Sequence, residues 1–128
     1  ISDATPSNLH VVVAEDNRVN QKVIIGFLRK FGSRTTLVED GEAAVEAALR
    51  ERPDLVLMDV HMPRMDGIEA TRRLRAAGYG GRIWALTASA IEEERQRSIQ
   101  AGMDGFMVKP ISMADLRTVL GSLGIPRT

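Results

Sequence analysis

Apolar residues along this chain follow two rhythms in turn. Short unbroken runs read as strands. Between them lie longer stretches with apolar positions every three or four residues, which read as helices. The first run, His10-Val11-Val12-Val13-Ala14, is β-branched at its centre and stops at Glu15-Asp16. Behind it, Val19, Val23, Phe27 and Phe31 recur at steps of four, predicting a helix striped by these side chains and stopped by Gly32. Thr35–Val38 makes a second, weaker strand. Gly41–Glu51 is rich in strong helix formers and halts before Pro53. The pattern then gives a strand at Leu55–Met58, a helix at Gly67–Ala77, and a strand at Arg82–Thr87. A helix at about Ile91–Ala101 and a strand at Gly105–Val108 follow. Met113, Leu116, Leu120 and Leu123 stripe a last helix.

Strand and helix alternate five times, which points to an α/β fold with a parallel sheet covered by helices on both faces. That covering accounts for Leu55–Met58, a strand with no polar alternation. Residues 1–8, ISDATPSN, are polar, aperiodic and linker-like. Residues 9–124 form one domain, and 125–128 a short tail.

Composition narrows the function. Lys plus Arg and Asp plus Glu each total 17, so the formal charge is zero and nothing favours nucleic acid or an anionic membrane as partner. There are no cysteines, which excludes disulfides and thiolate metal sites. No apolar stretch approaches the roughly 20 residues of a membrane span. The expected location is the cytoplasm, or the cytosolic part of a membrane-bound protein.

In open α/β sheets the ligand site lies beyond the carboxyl ends of the strands. Those ends carry Glu15 and Asp16 after strand one, Asp59 after strand three, Thr87 after strand four and Lys109 after strand five. Converging carboxylates repel unless a cation sits among them. All-oxygen ligands in a small open site suit Mg2+. Lys109 and Thr87 supply the charge and the donor that a tetrahedral anion needs. A carboxylate nucleophile, a hard metal and a lysine together suggest phosphoryl transfer to aspartate.

Taken singly, these residues have plainer readings. Asp16 or Asn17 can cap the first helix, and Asp54 and Asp66 read as turn residues. Arg72, Arg73 and Arg75 read as a solvated helix face. Glu92-Glu93-Glu94 lies in a first helical turn, where the macrodipole favours acids. His61 has no partner at ligand spacing. The combination at the strand ends carries the argument.

With those residues placed, the chain resembles the response-regulator receiver domains of two-component signalling. The resemblance spans Leu9 to about Leu123 and rests on VVVAEDN, LVLMDVHMPRMDG, ALTA and GFMVKPI. It implies a flavodoxin-like (βα)5 doubly wound fold with strand order 2-1-3-4-5. It further implies that Asp59 accepts phosphate from a phosphohistidine, with Mg2+ held by Glu15, Asp16, Asp59 and the backbone carbonyl of His61. Glu15 stands where many members have Asp, and its longer arm leaves direct and water-mediated metal contact both open. Thr87 and Lys109 would bind the phosphoryl group. Phe106 matches the aromatic switch position, often Tyr in the family, so that switching acts on the face of helix four, strand five and helix five. The resemblance, and the need to turn Lys109 back toward the crevice, give a cis Lys109-Pro110 bond. The implied partners are a histidine kinase or a histidine phosphotransfer domain, with weak homodimerisation open. The wording AEDNRVNQKV and MDVHMPRMDGIEATRRLR looks most like receivers of hybrid sensor histidine kinases. The expected role is that of a phosphoacceptor rather than a free-standing enzyme, though full-length hybrid kinases are enzymes.

Three rival functions fit these residues less well. A haloacid-dehalogenase-type phosphatase needs a D-x-D nucleophile after strand one, where this chain reads Glu15-Asp16-Asn17. A flavin carrier needs a Ser/Thr/Gly-rich phosphate loop there. A receiver acting as an unphosphorylated scaffold would not need the intact acidic and basic set.

Overall fold

Each apolar run becomes a strand, and each amphipathic stretch a helix. The order is β1 (His10–Ala14), α1 (Arg18–Lys30), β2 (Arg34–Val38), α2 (Gly41–Glu51), β3 (Leu55–Asp59), α3 (Gly67–Ala76), β4 (Arg82–Thr87), α4 (Glu92–Ala101), β5 (Gly105–Val108) and α5 (Met113–Ser122). This computed structural model describes residues 8–88 and 91–123. The expected linker (Asn8 apart), residue 124 and the tail lie outside the described residues. The strands are all parallel, in the order β2-β1-β3-β4-β5 that the resemblance implies.

The pleat divides the core into two layers. Val11, Val13, Leu55, Leu57 and Leu86 face one side, with Ile24 and Leu28 of α1 and Leu116 and Leu120 of α5. Val12, Ala14, Val56, Met58, Ile83 and Ala85 face the other, under α2, α3 and α4. Each fully buried Leu or Ile contributes about 1.5–3 kcal/mol relative to exposure. β3 lies at the centre and is buried along its whole length.

One helix face differs from expectation. In α1 the buried side chains are Gln21, Ile24 and Leu28, while Val19 is 69% and Val23 38% exposed. Steps of four overshoot a full turn, so from position 19 to 31 the row rotates by roughly 120° around the helix. Phe27 and Phe31 remain against the core; the two valines do not. Mixed steps of three and four hold the true stripe in place.

The arginines of α3 also differ among themselves. Arg72 and Arg73 pair with Glu69 on the surface, at 3.6 and 3.2 Å. Arg75 is half-buried and donates to the carbonyls of Gly102, Tyr79 and Gly81 at 3.0, 2.7 and 2.8 Å, and to Asp104 at 3.2 Å. It fastens the end of α3 to the segments leading into β4 and β5 and is not a solvated residue.

Candidate functional site

β1 and β3 lie side by side with Val13 opposite Leu57. Each chain runs two residues further to a carboxylate, Glu15 or Asp59, which keeps the parity of Val13 and Leu57. Lys109 stands two residues beyond Met107, which packs in the same layer. Its Nζ lies 3.2 Å from Glu15 Oε1 and 3.2 Å from Asp59 Oδ2. The Lys109-Pro110 bond is cis, as expected.

The remaining carboxylate oxygens are also held. Asn17 N–H donates to Glu15 Oε2 at 3.0 Å, and His61 N–H to Asp59 Oδ1 at 3.2 Å. Gln21 Nε2 donates to the Glu15 backbone carbonyl at 2.7 Å. Gln21 is a buried polar residue whose role was not visible in the sequence, because it depends on α1 turning that face inward. Asn17 caps α1 by accepting from Asn20 N–H at 3.0 Å, so Asp16 is left to the site. Asp66 caps α3 through Glu69 N–H at 2.8 Å. The next residue, Gly67, brings α3 so close to β3 that a Cβ there would strike the Asp59 carbonyl and the Met58 side chain.

Glu15, Asp16 and Asp59 each bring a carboxylate oxygen within 4.8 Å of the others. Three carboxylates against one ammonium leave the centre net negative. Burial, and then the charge of Glu15, push the Asp59 carboxyl up to about 6, against the opposing pull of Lys109 and the His61 N–H. Burial works against the Lys109 charge, but Asp59 and Glu15 outweigh it and its pKa is raised. Hard oxygen donors, mutual repulsion and an exposed third member, Asp16, fit a divalent cation such as Mg2+.

Thr87 and Phe106 belong to the opposite layer. Thr87 continues the parity of Ala85, and Ala85 pairs with Phe106. The Thr87 hydroxyl donates to Glu94 Oε1 at 2.7 Å. Glu94 Oε2 lies 3.1 Å from Nε2 of His61, whose side chain is 73% exposed. Glu94, placed by the sequence in the acidic first turn of α4, and His61, which has no partner at ligand spacing, meet across the site's rim. The Arg95 guanidinium sits 5.7 Å from the Phe106 ring centroid. A cavity of about 10 Å³ between Val60, Ala85, Thr87, Ser98 and Phe106 has barely the room of one water molecule. On the rim near Lys109, the exposed Val19 and Val23 join Pro110 and Ile111 around a shallow apolar hollow of about 110 Å³.

Among the described residues, no helix is long and apolar enough to cross a membrane.

The model of the response regulator receiver domain matches residues 11–121. The sensor protein GacS of Pseudomonas syringae is 41% identical over 86% of this chain, and the sensor histidine kinase AruS of Pseudomonas aeruginosa 37% over 97%. The chain spans 13% of the length of each of these two proteins. Two-component response regulator 24 of Arabidopsis thaliana is 36% identical over 91% of this chain and 85% of its own length. Among solved structures, the receiver domain of a sensor histidine kinase from Pseudomonas aeruginosa, with magnesium coordinated in its active site cleft, is 43% identical. It superposes with a TM-score of 0.86 over 92% of this chain and 99% of that one. The receiver domain of Ssk1 from Saccharomyces cerevisiae, solved in complex with the histidine phosphotransfer protein Ypd1, is similar too. It is 26% identical, with a TM-score of 0.86 over 92% of this chain and 90% of that one. With its model matched along nearly the whole described chain and a relative covered over most of its length, the chain belongs to the family of response regulator receiver domains.

Proposed function

We propose that this chain is the phosphoacceptor of a two-component phosphorelay and that Asp59 carries the phosphoryl group. An Asp59 carboxylate oxygen attacks the phosphorus of a phosphohistidine. The new P–O bond forms as the P–N bond breaks, and the donor imidazole leaves with the electron pair. Glu15, Asp16, Asp59 and the His61 carbonyl would hold Mg2+, which when bound would offset charge on the transferring oxygens. Lys109 then pairs with a phosphoryl oxygen in place of one carboxylate, and Thr87 donates to another. Phe106 follows Thr87, so the signal is read on the face of α4, β5 and α5.

The observation that carries this reading is the Lys109 ammonium held 3.2 Å from both Glu15 and Asp59. It joins a cation for the incoming anion to the carboxylates that would bind the metal. The donor must bring its histidine against Asp59, and the apolar hollow of Val19, Val23, Pro110 and Ile111 gives a histidine kinase or histidine phosphotransfer domain a surface beside it. The complex of the Ssk1 receiver with Ypd1 is of that class. Likeness to sensor histidine kinases over a small part of their length supports a place within a hybrid kinase.

Intact mass spectrometry tests the assignment. Incubation with a small acyl phosphate and Mg2+ adds one phosphoryl group, about 80 Da. Asp59→Asn adds none; a full adduct on that variant would overturn the assignment of Asp59, and none on the wild type would favour an unphosphorylated scaffold.

A further inference from the structure

We propose that Glu94 is a positioning residue that holds Thr87 in the resting conformation, and that its neighbour Arg95 holds Phe106, so the first turn of α4 sets how readily the domain switches. This rests on the reading of Thr87 as a phosphoryl ligand. Three acids open α4, but their surroundings differ. Glu92 and Glu93 are exposed, whereas the Glu94 side chain is 18% exposed and turned toward the sheet. One of its oxygens accepts from the Thr87 hydroxyl at 2.7 Å, and the other meets the His61 ring at 3.1 Å. A single carboxylate on α4 thus links the segment beyond β3 to the end of β4.

A threonine hydroxyl has one proton to donate. Thr87 can give it to Glu94 or to a phosphoryl oxygen on Asp59, not to both. Both acceptors are anionic, so the exchange trades one charge-assisted hydrogen bond for another. The strength of the bond to Glu94 therefore weighs directly on the switching equilibrium. Loss of that bond frees the first turn of α4 and with it Arg95, which lies over the Phe106 ring. The cavity beside the ring, about 10 Å³, is too small for a phenyl group until Thr87 has moved. Hydroxyl, ring and helix turn move together for that reason.

The test compares wild type, Glu94→Gln and Glu94→Ala by amide and aromatic chemical shifts, in the resting state and with beryllofluoride as phosphoryl mimic. In the resting Glu94→Ala protein, the signals of Thr87 and Phe106 move along the line joining the wild-type resting and mimic-bound positions. Beryllofluoride affinity rises roughly fivefold or more, and Glu94→Gln falls between. In a Thr87→Val background the Glu94 substitutions change neither quantity, which a merely structural role in α4 would not reproduce. Resting shifts at Phe106 that ignore Glu94, or an effect that persists without the Thr87 hydroxyl, would overturn the proposal. Failure of the wild type to bind the mimic would count against the phosphoacceptor reading instead, while the resting-state comparison still decides the role of Glu94.

Discussion

Glu15 directly follows β1 and Asp59 ends the adjacent β3, and one ammonium, Lys109 Nζ, lies 3.2 Å from an oxygen of each. The centre is built so that its charges are incompletely matched. That mismatch has measurable consequences.

Asp59→Asn should stabilise the protein near pH 7 and do nothing below about pH 4. The folded state keeps the Asp59 proton up to about pH 6, whereas the ordinary carboxyl releases it near 3.8. Between those values the folded state binds more protons, so wild-type stability falls as pH rises through the window. The full difference corresponds to roughly 3 kcal/mol. Denaturant unfolding at pH 4, 5, 6 and 7 checks it; a variant destabilised at pH 7 contradicts it.

Lys109→Gln should cost roughly 2–3 kcal/mol at pH 7, because it leaves two buried carboxylates facing each other. The loss should shrink on acidification through pH 6, as Asp59 takes up its proton. On the alkaline side, what Lys109 contributes in the wild type fades only as pH rises above 10.5 through its raised pKa. Unfolding curves at pH 5 and 7 for both proteins give the comparison.

Mg2+ should raise the unfolding temperature of the wild type, and much less that of Asp16→Ala. Affinity should weaken as pH falls below 6, since protonated Asp59 is a poor ligand. Calorimetric titration measures the affinity directly. Excess chelator should abolish labelling by acyl phosphate, and labelling undiminished by chelator would remove the metal from the mechanism.

Val19→Glu should cut transfer from a phosphohistidine protein tenfold or more, a loss of about 1.4 kcal/mol at the docking surface. Labelling by a small acyl phosphate should fall far less. The ratio of the two rates is the readout, and equal losses would show that Val19 acts on the centre and not on the donor.

Beryllofluoride should shift amide signals at Thr87, Ala88 and Gly105–Lys109, and Thr87→Ala should shrink the change at Phe106. A coupling of about 1–3 kcal/mol is the usual range for such a switch. Changes confined to residues touching the mimic would mean signalling by local charge alone.

The succession of strands and helices and the chemistry of the strand ends were legible in the sequence, because both are local. An unbroken run such as Leu55–Met58 marks a doubly covered strand. A carboxylate directly behind it can go only to the sheet's functional edge. The resemblance supplied the strand order, which periodicity does not encode. Tertiary structure decided which way each helix turns and whom it meets. Val19 and Val23 look like core until Gln21, Ile24 and Leu28 are seen against the sheet. Arg75 looks solvated until the carbonyls of Tyr79, Gly81 and Gly102 surround it. Glu94 reads as a dipole acid until Thr87 and His61, from two different strand ends, converge on it. The face a helix buries, and the partners of a long polar side chain, depend on contacts between residues far apart in the chain, and those exist only once the sheet has brought the ends of β1, β3, β4 and β5 together.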